Sequence, residues 1–148
     1  MSNTESFEYE INMIKKANYK FEVDFGKSTI PNLLLDESEE IPGGEGLGPT
    51  ASMLLAAAVG NCLSASLIFC VTKKKLAVKN LKTKVKFTRK RNEDGFWRIS
   101  KIDVNLEPEV ESKEAAQYIK CVDIFRNYCI VSGSVKEGIP INVTVDGK

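Results

Sequence analysis

Four cysteines carry the chemistry this sequence offers: Cys62, Cys70, Cys121 and Cys129. A thiolate is a nucleophile and a reductant, so cysteines that meet in pairs can cycle between dithiol and disulfide. Their successive spacings are 8, 51 and 8 residues, and no C-x-x-C pair occurs. A structural zinc site draws its ligands from closely spaced pairs, so this pattern argues against one. The chain has no histidine. That excludes His-based triads, His-ligated zinc and haem–histidine ligation, and it removes the usual general base near neutral pH. No metal and no cofactor is expected.

Two of the four cysteines stand in informative surroundings. Cys62 ends the small-residue run Ala56-Ala57-Ala58-Val59-Gly60-Asn61-Cys62, whose neighbours would let another element approach closely. Cys129 lies in Arg126-Asn127-Tyr128-Cys129-Ile130-Val131-Ser132, at the C-terminal end of an expected helix. The helix dipole disfavours a thiolate there, and Arg126, one turn earlier, is placed to offset it. Cys70 and Cys121 lie eight residues from Cys62 and Cys129, about 80° off their faces on a helix. Both read as core packing. Burial alone would account for Cys62 and Cys129 as well, since free cysteine is among the most buried residue types.

The elements that must position these thiols can be read from periodicity. Leu54, Leu55, Ala58, Cys62, Ala65 and Phe69 recur at helical spacing, which predicts a helix over 49–75 with Pro49 in its first turn and Lys73, Lys74 and Lys75 at its end. Residues 46–72 carry no charge. That is long enough to span a membrane, but serines, glycine and asparagine on an alanine background favour a central helix buried on most sides. A second helix is expected over 112–129, with Tyr118, Val122, Phe125 and Cys129 on one stripe.

Strands are expected over 6–14 and 18–25, with a turn at 15–18, and Pro31 makes a short third strand at 30–35 irregular. The glycine-rich, acidic stretch 36–48 reads as a loop long enough to be functional. A hairpin is expected over 80–90 and 96–106, with a bulge near Ser100 where the alternation changes phase. Ile139, Ile141, Val143 and Val145 predict a closing strand. The order β-β-(β)-α-β-β-α-β makes an α+β fold. At 148 residues the expectation is one domain over 1–148, with residues 1–5 disordered.

Net charge is +1, but it is unevenly spread. Residues 1–48 hold 4 Lys against 10 acids, and residues 73–101 hold 9 Lys and 3 Arg against 2 acids. The basic block with Phe87, Phe96 and Trp97 invites a nucleic-acid reading. The plainer reading is that Lys82, Lys84 and Lys86 form a solvated strand face while the aromatics serve the core, so no nucleic-acid partner is expected. The polar, acidic start MSNTESFEYE does not resemble a signal peptide, so the expected location is the cytoplasm, where cysteines rest as thiols.

These segments together resemble the OsmC/Ohr family. Gly48-Pro49-Thr50 and Met53 through Cys62 are similar to its first-cysteine helix; Tyr128-Cys129-Ile130-Val131-Ser132 with Gly138-Ile139-Pro140-Ile141 is similar to its second-cysteine segment. The resemblance covers roughly residues 5–146. It implies an intertwined homodimer with two long helices at its centre, and a thiol peroxidase that reduces organic hydroperoxides in oxidative-stress defence. By that resemblance Cys62 is the peroxidatic cysteine and Cys129 the resolving one, restored by a dithiol or protein reductant. Two positions depart from it. Ser52 stands where the peroxidases place a glutamate, and no arginine precedes Arg89. Lys15, Lys16, Lys20, Lys27 or Arg126 are the available cations, and Glu45 or Glu40 the available carboxylates. An OsmC-like homodimer that acts as a thiol sensor or small-molecule binder is the alternative.

Overall fold

The structure, a computed structural model, describes residues 4–147. Of the segment 1–5 expected to be disordered, residues 1–3 lie outside the described residues. The chain divides into two compact units, residues 1–54 and 55–148.

In the first unit, β1 (Asn12–Ala17), β2 (Lys20–Asp24) and β3 (Leu33–Leu35) form an antiparallel sheet in the order β1-β2-β3. The first strand is displaced from the expected 6–14. Its partner β2 offers only five residues, and the register Asn12↔Asp24 to Ala17↔Lys20 uses all of them. Lys15 and Lys16 are therefore strand residues, and the turn falls at Asn18-Tyr19, where Asn18 takes φ 44°, a left-handed conformation that asparagine tolerates. Phe7, Tyr9 and Ile11 precede the strand and are exposed.

The loop 36–48 is ordered by one buried carboxylate. Asp36 accepts N–H bonds from Glu37 (2.8 Å), Glu45 (3.2 Å) and Leu47 (3.1 Å). Burying an ionised group is costly unless its oxygens are satisfied, and here the loop folds back to satisfy them. Lys20 lies 3.9 Å from the same carboxylate and pairs closely with Glu45. At Gly48 a Cβ would collide with the Leu34 carbonyl oxygen, so only glycine fits between β3 and the first helix. The Thr50 hydroxyl accepts the Met53 N–H (3.3 Å) and opens α1 (Ala51–Lys73).

In the second unit, α1 from Leu55 onward lies on the hairpin of β4 (Val78–Arg91) and β5 (Trp97–Val110). Both strands are longer than expected. Leu81, Thr83, Val85 and Phe87 are half-buried, while Lys82, Lys84 and Lys86 are exposed, as the solvated-face reading requires. Thr88 pairs with Lys101 and Arg89 with Ile99, which leaves Ser100 as the extra residue of the expected bulge. The aromatics divide differently from expectation. Phe96 and Trp97 flank the hairpin turn and are exposed, with Arg91 4.5 Å over the Trp97 ring and Arg98 5.6 Å over Phe96.

The expected helix over 112–129 is three pieces: α2 (Ala116–Ile124), a 3₁₀ turn (Phe125–Tyr128) and α3 (Ile130–Glu137). Cys129 breaks the run, with extended φ −82° and ψ 101°. Cys121 and Phe125, rather than Val122, carry the buried face. The expected strand over 139–145 is absent among the described residues. Ile139, Ile141, Val143 and Val145 are 62–84% exposed, because no described segment offers them a ladder.

By length and composition α1 could cross a membrane. One face, including Val59, Gly60, Leu67 and Val71, is buried in the unit, whereas Ala57, Asn61, Ala65 and Phe69 form an exposed stripe. The helix is thus one-sided in this chain rather than buried on most sides.

Candidate active site

The candidate site is built where the middle of α1 meets the start of α3. Gly60 lets α1 settle against β4: a Cβ there would lie 2.5 Å from Val85 Cγ2. Ser64 reinforces the contact, since its hydroxyl bonds the Gly60 carbonyl (2.7 Å) and lies 2.6 Å from the Thr83 hydroxyl. Cys62 sits between these two residues and is half-buried.

Cys129 is the N-cap of α3, not the end of the preceding helix. Its Sγ accepts the Ser132 N–H at 3.3 Å, the N-cap to N3 bond of a helix start. The dipole argument therefore changes sign: at a helix N-terminus a thiolate is favoured. The cap leaves no ordinary capping signature in Cys129-Ile130-Val131-Ser132. It was hidden because a thiol is an unusual cap and the apolar stripe ran straight through it.

The two thiols meet. Burial pushes the Cys129 thiol up, but hydrogen bonds from the Ser132 side chain, the Cys62 thiol and the backbone N–H groups of Ser132 and Val131 outweigh it. The net effect holds Cys129 below the ordinary cysteine value. Two cysteines 67 residues apart in sequence are thereby brought near enough for one to lower the other's pKa. Ser132, which the sequence marks only as part of the second-cysteine segment, supplies the largest favourable contribution.

Arg126 does not offset a charge on Cys129 in the way expected of it: its guanidinium lies 5.9 Å over the Phe125 ring, and the causes that lower the thiol are hydrogen bonds. Glu45 belongs to the first unit, where it pairs with Lys20. Ser52 is half-buried in the first turn of α1. No group of three or more Cys, Asp or Glu residues among the described residues could hold a metal. Cys70 and Cys121 are buried as expected, 5% and 0% exposed, but they are joined as a disulfide with Cα atoms 5.7 Å apart, which a separation of 51 residues gave no reason to foresee.

A family model described as OsmC-like protein matches residues 43–144, a span that contains both free cysteines. The chain belongs to the OsmC-like family. No curated protein matches it. Among solved structures, an OsmC-like protein from Mycoplasma pneumoniae is 16% identical, with a TM-score of 0.73 over 95% of this chain and 98% of that one. An OsmC-like protein of unknown function from Vibrio cholerae gives 14% identity and a TM-score of 0.73 over 88% and 95%. An organic hydroperoxide resistance protein from Legionella pneumophila gives 16% and 0.62 over 88% and 90%. These likenesses establish the OsmC-like α+β fold.

The capped thiol makes a measurable prediction. A lowered thiol pKa keeps the thiolate present to lower pH, so alkylation of Cys129 by iodoacetamide is expected to reach half its plateau rate below the pH of a free cysteine. Ser132→Ala removes one hydroxyl donor and should move that midpoint up. Peptide-resolved mass spectrometry across a pH series measures it, and coincident profiles for the two proteins would count against the capping account.

Proposed function

We propose that this OsmC-like protein is a thiol-dependent hydroperoxide reductase in which Cys62 and Cys129 form one dithiol/disulfide couple. The observation that carries the reading is a free, buried thiol at the N-cap of α3, capped by the Ser132 N–H and held below the ordinary cysteine value with the Cys62 thiol among the groups that lower it. Cys62 is the more exposed of the two and takes the first oxidation; Cys129, 3% exposed, waits behind it. Without histidine, the Cys129 thiolate is the base that accepts the Cys62 proton. The Cys62 sulfur attacks the O–O bond, an alcohol leaves, and Cys62 becomes a sulfenic acid. Cys129 then attacks that sulfur, water leaves and the disulfide forms. Two thiols and one hydroperoxide give one disulfide, one alcohol and one water. A dithiol or protein reductant restores the pair. The Phe69 and Tyr128 rings lie 6.1 Å apart, and Tyr128 directly precedes Cys129 in the chain; this aromatic pair favours an organic hydroperoxide over hydrogen peroxide.

The working form in this reading is a homodimer, with α1 as a central helix rather than a membrane span. The exposed stripe of α1 and the unpaired apolar alternation over 139–145 are surfaces a second copy would cover.

The test is a stopped-flow titration of the reduced protein with cumene hydroperoxide and with hydrogen peroxide. Rapid oxidation ending in a Cys62–Cys129 disulfide by mass spectrometry is expected, and sedimentation should give twice the 16.4 kDa chain mass. Oxidation no faster than that of free cysteine would sink the peroxidase, leaving an OsmC-like sensor or small-molecule binder, for which Ser52 and the lack of an early arginine would then speak.

A further inference from the structure

The peroxidase cycle leaves Cys70 and Cys121 unused, yet the fold sets them in register with the pair that it uses. Eight residues back along α1 from Cys70 is Cys62; eight residues forward from Cys121 is Cys129. Both pairs therefore join α1 to the same returning segment, as two rungs about 12 Å apart along the helix. The inner rung lies in the core with Leu67, Val71 and Phe125. Its Cα separation of 5.7 Å suits a disulfide without backbone movement.

What that rung holds is otherwise weakly specified. The helix α2 has nine residues, and its N-cap residue, Ala115, offers no side-chain cap. A helix so short is marginal by itself. It leads through one 3₁₀ turn directly into Cys129, so the placement of Cys129 depends on how firmly α2 is held.

We propose that Cys70 and Cys121 are a second thiol–disulfide centre, a redox staple whose oxidised form fixes α2 to α1 and so keeps Cys129 against Cys62. Its co-reactant is a low-molecular-weight disulfide. One Sγ attacks a sulfur of that disulfide and releases a thiol. The other Sγ then displaces the second thiol from the mixed disulfide. Two electrons pass to the small molecule, and two protons leave on the released thiols. Because the pair is 5% and 0% exposed, exchange requires α2 to open. Once closed, the staple is shielded, so the outer disulfide can be reduced in each cycle while the inner one persists.

The staple is tested on Cys62→Ser/Cys129→Ser protein, where only the inner pair remains. After equilibration with oxidised glutathione, denaturation and alkylation, the expected product is a cross-linked peptide pair joining residues 70 and 121. Its melting temperature should exceed that of the dithiothreitol-reduced protein by about 10 °C. Two freely alkylated thiols, or equal melting temperatures, would overturn it. Positioning is read on wild-type protein by comparing closure of the outer disulfide by oxidised glutathione with the inner pair oxidised or reduced. Closure about tenfold slower with the inner pair reduced is expected; equal rates would overturn the positioning role. Neither measurement uses a hydroperoxide, so failure of the peroxidase reading would leave both standing.

Discussion

Replacing Cys62 by serine is expected to reduce hydroperoxide consumption by on the order of 100-fold, a loss of about 2.7 kcal/mol of barrier lowering. Serine keeps the shape of the site but is far less nucleophilic toward the O–O bond at neutral pH. The remaining thiol of the couple, Cys129, is 3% exposed and capped into α3, so it cannot simply take over. Cys129→Ser should arrest the cycle differently. Cys62 loses both its base and its resolving partner, so its oxidation should slow by about 10². The sulfenic acid that does form should persist long enough for dimedone to trap it at Cys62. The two variants separate the roles. Equal oxidation rates in Cys129→Ser and wild-type protein would remove the base from the mechanism while leaving the pair. A dimedone adduct on Cys129 in Cys62→Ser protein, formed as fast as wild-type oxidation, would reverse the order of attack.

What was legible in the sequence was what local periodicity encodes. The long helix, the hairpin and the displaced phase at Ser100 follow from alternation and helical spacing, and the structure has each of them. The pairing of Cys62 with Cys129 was legible only through likeness to a family, because nothing in a spacing of 67 residues states that two thiols meet. Long-range placement was not legible at all. The cross-link of Cys70 with Cys121 depends on α2 lying along α1, and the Lys20–Glu45 pair depends on a loop gathered around Asp36. The strand expected over 139–145 has the right alternation and no ladder to join. A strand is a property of two segments, and sequence pattern reports on only one of them. The misplaced helix end at Cys129 shows the converse: a continuous apolar stripe concealed a capping residue, and with it the sign of the local field on the thiol.

The same close packing that places Cys62 sets the second large expectation. Gly60→Val should destabilise the fold by about 3 kcal/mol, the upper part of the range for overpacking. A bare Cβ at this position already lies 2.5 Å from Val85 Cγ2. Valine adds two methyl groups to it, and neither side can yield easily: both valines are branched at Cβ and stiff, and Val85 is fixed in β4 opposite Val104. Glycine in mid-helix costs about 1 kcal/mol relative to alanine. Gly60→Ala therefore sets that gain against the clash and should move stability much less, which separates steric crowding from helix propensity. Thermal unfolding of the three proteins checks this, with a fall of about 10 °C expected for valine. The displacement that relieves the clash would lift α1 off β4 two residues before Cys62, stretching the Ser64–Thr83 contact at 2.6 Å. Closure of the Cys62–Cys129 disulfide in still-folded Gly60→Val protein should therefore slow as well. A valine variant as stable as wild type, with unchanged closure, would show that α1 is not held by this contact and that Cys62 is positioned from elsewhere.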